Sequence, residues 1–201
     1  MKKILALVLV LIMALGLAAC AAPAAPAEEP TPAVEPETEK VDSQAILAEL
    51  KTPAEESNWE RTTSSQEVID FLKVVAEHSA GRIILDTTTF ATEAGTPISY
   101  MIISDVAPAS PADVPEDKGV VYVNCNIHSG EIEGKESMMI FAREVAQGKH
   151  DDLLKDLVVI IVPNSNPDGN DNLGKNRITT QFTPKLVGTR AEGNGLNVNR
   201  D

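Results

Sequence analysis

The spacing of hydrophobic and polar residues changes from one segment of the chain to the next, and it predicts which segments form helices and which form strands. Ser64 and Glu67 form a capping-box pattern, and apolar residues then recur at helical spacing, which predicts a helix over residues 65–79. Two β-rich runs follow at residues 82–90 and 98–104, with turn-forming residues between them. We therefore expect an antiparallel hairpin after this helix.

A strand, a helix and a second strand come next, and their order determines the architecture. Residues 119–127 and 157–162 each contain a continuous apolar run, typical of a strand covered on both faces. Residues 133–147 place apolar side chains on one helical stripe between them. Such a crossover joins neighbouring parallel strands, so the loops after Ile127 and Val162 should lie side by side. We expect an α/β fold with a mixed central sheet and flanking helices, whose ligand site lies at this edge.

The beginning of the chain has the pattern of a targeting signal. Lys2 and Lys3 precede an apolar run, residues 4–17, which is short for a membrane span and leads into Cys20. This resembles a bacterial lipoprotein signal, in which Cys20 would carry the lipid. The alternative is an ordinary secretory peptide with a chance cysteine. The lipoprotein interpretation predicts an extracytoplasmic protein, lipid-anchored at the cell membrane.

Composition divides the chain into three parts. We expect residues 1–19 to be the signal peptide and residues 20–57 to be the lipidated cysteine with a disordered tether rich in Ala, Pro and Glu. Residues 58–201 would form the folded domain, and residues 41–50 could add one short helix before it. The net charge of −13 argues against nucleic acid as a partner. With Cys20 lipidated, Cys125 has no disulfide partner, and its apolar strand favours a core position over a catalytic thiol.

A histidine and a glutamate lie just after the first of the two parallel strands. In the segment NCNIHSGEIEG, His128 and Glu131 are three residues apart and could both face one point. Imidazole nitrogen and carboxylate oxygen are zinc donors, and a catalytic zinc ion takes three protein ligands and a water. The pair alone would equally suit a solvated turn. Asn-Pro-Asp-Gly at residues 166–169 follows the other parallel strand, and Asn199 with Arg200 offers carboxylate-binding groups further on.

These segments together carry a family resemblance. HSGE, NPDG and GLNVNRD, in this order, resemble the zinc metallocarboxypeptidases of the carboxypeptidase A type over about residues 65–201. The resemblance implies a carboxypeptidase-like (phosphorylase/hydrolase-like) fold, incomplete at the C-terminus. It also implies one Zn²⁺ ion and hydrolysis of C-terminal residues from peptides. The expected partners are a peptide with a free C-terminal carboxylate and the membrane that holds the lipid anchor, with the protein itself a monomer.

The resemblance also assigns roles to single residues. His128 and Glu131 would be zinc ligands, and Asn199 and Arg200 would bind the terminal carboxylate of the peptide. An arginine before the Asn-Arg pair helps to polarise the scissile carbonyl in this family. Arg190 is the candidate here and Arg177 the alternative, since the spacing does not decide between them.

The chain departs from the family in one respect. The family's third zinc ligand, a histidine, and its general-base glutamate come after the Asn-Arg pair, whereas the given sequence stops at Asp201. His78 and His150 do not replace the ligand, because one falls near the end of a helix and the other follows the crossover helix, towards the opposite edge. We therefore expect an N-terminal portion of such an enzyme, or a gene fragment, with an incomplete zinc site. The alternative is a non-catalytic surface lipoprotein that binds peptide C-termini.

Overall fold

The computed structural model describes residues 42–197, 199 and 200. The expected signal peptide, Cys20 and the first part of the expected tether lie outside the described residues. The helices are α1 (Ser43–Glu49), α2 (Pro53–Glu56), α3 (Ser65–Glu77), α4 (Glu133–Ala146), α5 (Asp151–Leu154) and α6 (Pro167–Asp171), with a 3₁₀ turn at Pro111–Asp113. The strands are β1 (Ile83–Ala91), β2 (Pro97–Ile103), β3 (Gly119–Asn124), β4 (Leu157–Val162), β5 (Gly174–Lys175) and β6 (Leu186–Val187).

Four strands form a mixed sheet in the order β1-β2-β4-β3. β1 and β2 form the expected antiparallel hairpin, and β2 is also antiparallel to β4. β3 and β4 are parallel and in register from Gly119 opposite Leu157 to Asn124 opposite Val162, with α4 as their crossover. The predicted α/β fold class with a mixed sheet and flanking helices is therefore confirmed. Strands β5 and β6 form a separate antiparallel pair.

The two long helices supply one side of the hydrophobic core. Helix α3 begins at the predicted capping box, in which the Ser64 side chain accepts from the Glu67 amide and the Glu67 carboxylate accepts from the Ser64 amide. Its apolar side chains join those of α4 and of the sheet in one buried cluster. Its fully buried members include Leu47, Leu72, Met101, Ile103, Met139, Leu154 and Ile161.

Strand β3 differs from the prediction that both of its faces are covered. Val120 is 56% exposed and Tyr122 is 62% exposed, whereas every residue of β4 is buried or partly buried. The physical reason is strand order: β3 is the edge strand of the sheet within the described residues, and β4 is its one ladder partner there. A continuous apolar run therefore did not distinguish the edge strand from the central one.

The folded domain begins before Asn58, where the sequence predicted its N-terminal boundary. Helix α1 confirms the short helix anticipated at residues 41–50, and its Leu47 is fully buried in the core. Helix α2 has its own capping box, from Thr52 and Glu55, and the Glu55 carboxylate accepts two hydrogen bonds from Arg143 of α4, at 2.7 and 2.8 Å. The expectation that residues up to 57 form a disordered tether is therefore wrong for these two helices, because they bury apolar surface against the domain.

A charged pair is buried where α4 begins. The Lys135 ammonium, fully buried, donates to Thr62 Oγ1 at 2.8 Å, to Asn170 Oδ1 at 2.6 Å and to the Thr63 carbonyl. The Glu136 carboxylate lies 3.4 Å from the ammonium and accepts three hydrogen bonds from Thr62 and Thr63. Burial lowers the pKa of Lys135 to about 8. The network ties α4 to the segment before α3 and to α6.

Among the residues that the structure describes, none belongs to a helix that is both long enough and apolar enough to cross a bilayer.

Candidate functional site

The loops that follow the two parallel strands lie side by side, as the crossover predicts. The Ser165 amide donates to the Cys125 carbonyl at 3.2 Å, and Ser129 Oγ donates to the Asn166 carbonyl at 2.7 Å. A third segment joins them, because the Ser129 amide donates to the Thr189 carbonyl at 3.2 Å and the Thr189 amide donates to the Gly169 carbonyl at 2.8 Å. Three stretches that are far apart in sequence therefore meet at the carboxyl edge of the sheet.

His128 and Glu131 face the same point in the first of these loops. A turn brings them together, since the Glu131 amide donates to the His128 carbonyl at 2.8 Å. Nδ1 of His128 then lies 3.2 Å from Oε1 of Glu131. The imidazole is nearly buried, with 9% of its side chain exposed, while the Glu131 side chain is 52% exposed. The pair thus combines a fixed nitrogen donor with an accessible carboxylate.

Three further side chains surround the imidazole. Nη2 of Arg190 lies 3.0 Å from Nε2 of His128, and Nη1 of the same guanidinium donates to Oε1 of Glu131 at 3.0 Å. Oδ1 of Asn199 lies 2.8 Å from the same Nε2, and Oδ1 of Asn197 lies 3.2 Å from it. The imidazole is therefore within hydrogen-bond distance of a carboxylate, a guanidinium and two amide oxygens, and the guanidinium also contacts the carboxylate.

Four of the residues singled out in the sequence come together here, and the others do not. His128 contacts Glu131, Arg190 and Asn199, and Arg190 also contacts Glu131, whereas Nη1 of Arg200 donates to the carbonyl of its neighbour Asn199 at 3.1 Å. The remaining arginine and histidine candidates contact other parts of the fold: Arg177 donates to Asn172, His78 lies 3.0 Å from Ser43 Oγ, and His150 lies 3.0 Å from Glu144. Of the two arginine candidates, Arg190 is thus the one beside the His-Glu pair. Cys20 lies outside the described residues.

The donors at the site fit two positions of a zinc coordination sphere. Zinc binds imidazole nitrogen and carboxylate oxygen at roughly 2.1 Å, so two donors of one tetrahedral ion lie roughly 3.4 Å apart. Nδ1 of His128 and Oε1 of Glu131 are 3.2 Å apart, close to that separation. Within residues 42–197, 199 and 200, no group of three or more His, Cys, Asp or Glu side chains could hold a metal ion.

Cys125 has the environment of a core residue. The side chain is buried at the end of β3 and packs against Gly134, where an added Cβ would lie 3.2 Å from the Cβ of Cys125. Burial raises the pKa of the thiol, which favours the unreactive protonated form.

Two residues of the site were missed in the sequence. Asn197 lies two positions before Asn199 in the segment GLNVNRD, and both of their side chains reach the same imidazole nitrogen. Asn166 begins the Asn-Pro-Asp-Gly stretch, whose turn is the first turn of α6, and its side chain caps that helix. Both residues lie in segments that the sequence analysis singled out. For Asn166, turn formation by Asn-Pro-Asp-Gly was a sufficient explanation of the sequence, so no role in the site was predicted.

A cavity lies apart from this cluster. It has a volume of about 750 Å³ and is bounded by the segment before α3, by the end of α6 and by residues 173–186. Its lining includes Arg61, Lys175 and Lys185 together with Glu60, Glu67 and Asp171, but not His128, Glu131 or Arg190. The candidate chemistry therefore lies at an open edge of the sheet, outside this cavity.

Comparison with known proteins gives a family match. The model of the zinc carboxypeptidase family of M14 peptidases matches residues 70–201. No curated protein matches the chain.

Solved structures similar to the chain include three carboxypeptidase-related proteins. Carboxypeptidase A from Helicoverpa armigera is 21% identical, with 55% of this chain and 26% of that one covered and a TM-score of 0.45. A metallo-carboxypeptidase from Burkholderia cenocepacia is 21% identical, with 69% and 32% covered and a TM-score of 0.49. Bovine thrombin-activatable fibrinolysis inhibitor, in complex with tick carboxypeptidase inhibitor, is 18% identical, with 67% and 39% covered and a TM-score of 0.47. The chain thus spans between 26% and 39% of the length of these structures.

Proposed function

The chain belongs to the zinc carboxypeptidase family, and we propose that it serves in the zinc-dependent hydrolysis of C-terminal residues from peptides. The observation that carries this proposal is the pairing of His128 Nδ1 with Glu131 Oε1, 3.2 Å apart beside the guanidinium of Arg190. The pair lies at the carboxyl edge of an α/β sheet, which is where proteins with this architecture bind their ligands.

His128 and Glu131 are the residues that would hold the zinc ion. When bound, zinc lowers the pKa of its water and stabilises developing negative charge on an oxygen. The contact between Nε2 of His128 and Oδ1 of Asn199 would help to hold the ring in the orientation that turns Nδ1 towards Glu131. We propose that the remaining donors are contributed from outside the described residues of the chain.

Arg190 and the Asn199–Arg200 pair would act on the substrate. The Arg190 guanidinium is 47% exposed and lies next to the zinc-ligand pair, so it can donate to the carbonyl oxygen of the peptide bond that is cut. Arg200 is exposed, and its planar fork is suited to a carboxylate. Together they would give a peptide two anchoring points, one at the scissile carbonyl and one at the C-terminal carboxylate.

Zinc binding by His128 is the direct test of the proposal. Isothermal titration of the full chain with Zn²⁺ should give one site per chain, and His128→Ala should weaken its affinity at least about 100-fold. His150→Ala is the matched control, because His150 pairs with Glu144 away from the site. Equal zinc affinity of His128→Ala and the wild type would contradict the proposal, as would the absence of hydrolysis from zinc-loaded protein with any free-carboxylate peptide.

A second candidate function is non-catalytic binding of peptide C-termini. It is favoured by the exposed guanidinium of Arg200, which can bind a carboxylate without a metal ion. A peptide with a free C-terminal carboxylate should then bind with an affinity that falls on amidation of the peptide and on Arg200→Ala. Equal binding of free and amidated peptides would exclude this function.

We also propose that the chain is anchored at the outside of the cell membrane through a lipid on Cys20. The support is the order of Lys2, Lys3, the apolar residues 4–17 and Cys20. Cells that express the chain should incorporate a labelled fatty acid into it, and Cys20→Ala should abolish the label, whereas Cys125→Ala should keep it. Labelling that persists in Cys20→Ala would exclude this anchor.

A further inference from the structure

Asn166 is a fully buried side chain that contacts all three segments of the candidate site. It is 0% exposed and begins α6 directly after the second parallel strand. Its Oδ1 accepts from the Gly169 amide at 2.8 Å, and its Nδ2 donates to the carbonyls of Ile127, Arg190 and Ala191 at 3.2, 3.3 and 3.3 Å. Helix capping uses only the first of these hydrogen bonds, so the donating half of the amide has another purpose.

The chemistry of its partners fixes the orientation of this amide. The Gly169 amide can only donate, so the atom that faces it must be the oxygen of the carboxamide. The other three partners are carbonyl oxygens, which can only accept, so the atom that faces them must be the nitrogen. Each half of the side chain therefore has partners that the opposite orientation could not satisfy.

The donating half joins the two segments that carry the site. Ile127 immediately precedes His128, and the Arg190 carbonyl belongs to the same residue whose guanidinium reaches His128 and Glu131. The main chain of Asn166 adds a further connection, because its carbonyl accepts from Ser129 Oγ at 2.7 Å. One buried residue thus holds the backbone on both sides of the contact between the imidazole and the guanidinium.

Gly169 leaves the space that this arrangement needs. A Cβ at that position would lie 2.6 Å from Nδ2 of Asn166 and 2.6 Å from the Ala191 carbonyl oxygen, well inside contact distance. The amide is therefore enclosed by backbone on several sides and has little freedom to move. A rigid support of this kind is what a catalytic group requires, since misplacement by about 1 Å can cost about 100-fold in rate.

We propose that Asn166 is a positioning residue, whose carboxamide sets the separation of Arg190 from His128 by donating to the backbone of both loops. The proposal rests on the proposed function, in which Arg190 and His128 act on the same peptide bond. It assigns to the Asn-Pro-Asp-Gly stretch a role in the site in addition to the turn that its sequence forms.

Asn166→Asp separates this role from helix capping. Aspartate keeps the oxygen that accepts from Gly169 and caps a helix as well as asparagine does, but it places a second oxygen against three carbonyls. Asn172→Asp is the matched control, because it makes the same chemical change at the exposed end of α6, where the Asn172 oxygen accepts from Arg177. Asn166→Ser is a second variant, which keeps a capping oxygen without the added charge.

The readout is the contact between Arg190 and His128, measured in the full chain by NMR. Proton nuclear Overhauser effects between the Arg190 guanidinium and the His128 ring should be present in the wild type and in Asn172→Asp, and lost in Asn166→Asp. Far-ultraviolet circular dichroism should show that the variant remains folded. If Asn166→Asp does not fold, the same loss is expected in Asn166→Ser. Retention of the contact in a folded Asn166 variant, or its absence from the wild type, would overturn the proposal.

Kinetics separate this proposal from the proposed function. In zinc-loaded protein, Asn166→Asp should lower kcat about 10- to 100-fold with KM nearly unchanged, because the carbonyl-polarising group is misplaced in the transition state. In an Arg190→Ala background the same substitution should have little further effect on kcat. A wild type that hydrolyses no peptide would contradict the proposed function, while the NMR result would still decide the role of Asn166.

Discussion

Nη2 of Arg190 lies 3.0 Å from Nε2 of His128, across a contact that joins residues 62 positions apart in the chain. The same guanidinium also donates to the Glu131 carboxylate at 3.0 Å, so it contacts both members of the proposed zinc-ligand pair. The contact links the proposed zinc ligands to the group that would polarise the substrate. Substitution of Arg190 therefore tests the proposed roles of the residues in this site.

Arg190→Ala should lower kcat for peptide hydrolysis by about 100- to 1000-fold, because the lost donor stabilises charge that develops in the transition state. The zinc content of the protein should stay at the wild-type level, since Arg190 is not a ligand. Arg177→Ala is the informative comparison, because Arg177 donates to Asn172 instead of facing His128. Steady-state kinetics of both variants, with zinc measured by atomic absorption, would decide between the two arginines. A loss confined to Arg177→Ala would reverse the assignment.

Lys135→Met should lower the free energy of unfolding by about 3–5 kcal/mol at neutral pH, since Glu136 is then left buried without its cation. Lys155→Met, at a lysine whose side chain is 66% exposed, should change it by less than about 0.5 kcal/mol. Urea unfolding of the three proteins measures both values. Similar small changes in the two variants would show that the buried network adds little to stability.

The same lysine predicts a pH dependence of stability. Burial lowers the pKa of Lys135 from 10.5 to about 8 in the folded protein, so between these values the unfolded chain binds the additional proton. The contribution of this group to stability is therefore complete above pH 10.5 and is lost as the pH falls through 8. The difference in unfolding free energy between the wild type and Lys135→Met should increase from pH 8 to pH 10.5. A constant difference over this range would contradict the lowered pKa.

Glu67→Gln should destabilise the protein by about 1 kcal/mol at pH 7, through the loss of charge at the capping box of α3. Hydrogen bonds from Arg61 lower the pKa of Glu67 from 4.5 to about 2. The stabilisation is therefore present above pH 4.5 and is lost as the pH falls through 2, so the wild type and the variant should converge in acid. Thermal unfolding between pH 2 and 7 measures this, with Glu77→Gln as the control at the other end of the helix. Curves that remain parallel down to pH 2 would argue against the ion pair.

Ile161→Ala should cost about 2–5 kcal/mol, because Ile161 is 0% exposed in the central strand β4. Val121→Ala should cost less than about 1 kcal/mol, since Val121 is 40% exposed on the edge strand β3. Urea unfolding distinguishes the two strands directly. Equal costs would mean that β3 is covered in solution.

Local signals in the sequence predicted the parts of the fold that depend on neighbouring residues. The capping box before α3, the hairpin of β1 and β2 and the crossover between β3 and β4 all follow from spacing and turn chemistry. The meeting of the loops after the parallel strands followed from the shared direction of these strands, which end at the same edge of the sheet. The proximity of His128 and Glu131 was predictable for the same reason, because both lie in one short loop.

Features that depend on the order of the strands or on distant partners were not predictable. The apolar runs of β3 and β4 are alike, although one strand is at the edge and the other is central. In the sequence, Lys135 and Glu136 resemble charged residues at the exposed start of a helix. Both are buried, because Thr62, Thr63 and Asn170 approach from elsewhere in the chain and hydrogen-bond to them. The choice of Arg190 over Arg177 likewise depends on the path of a long loop, which residue spacing does not specify.

Within the described residues one edge of β3 has no ladder partner, and this edge affects how the molecules interact at high concentration. An uncovered strand with exposed Val120 and Tyr122 offers backbone groups and apolar surface to a second copy, which invites edge-to-edge aggregation. A formal net charge of −13 opposes such an encounter through mutual repulsion. The range of that repulsion falls from about 10 Å at 0.1 M salt to about 3 Å at 1 M. The strand that leads to His128 therefore makes the colloidal stability of the protein depend on ionic strength.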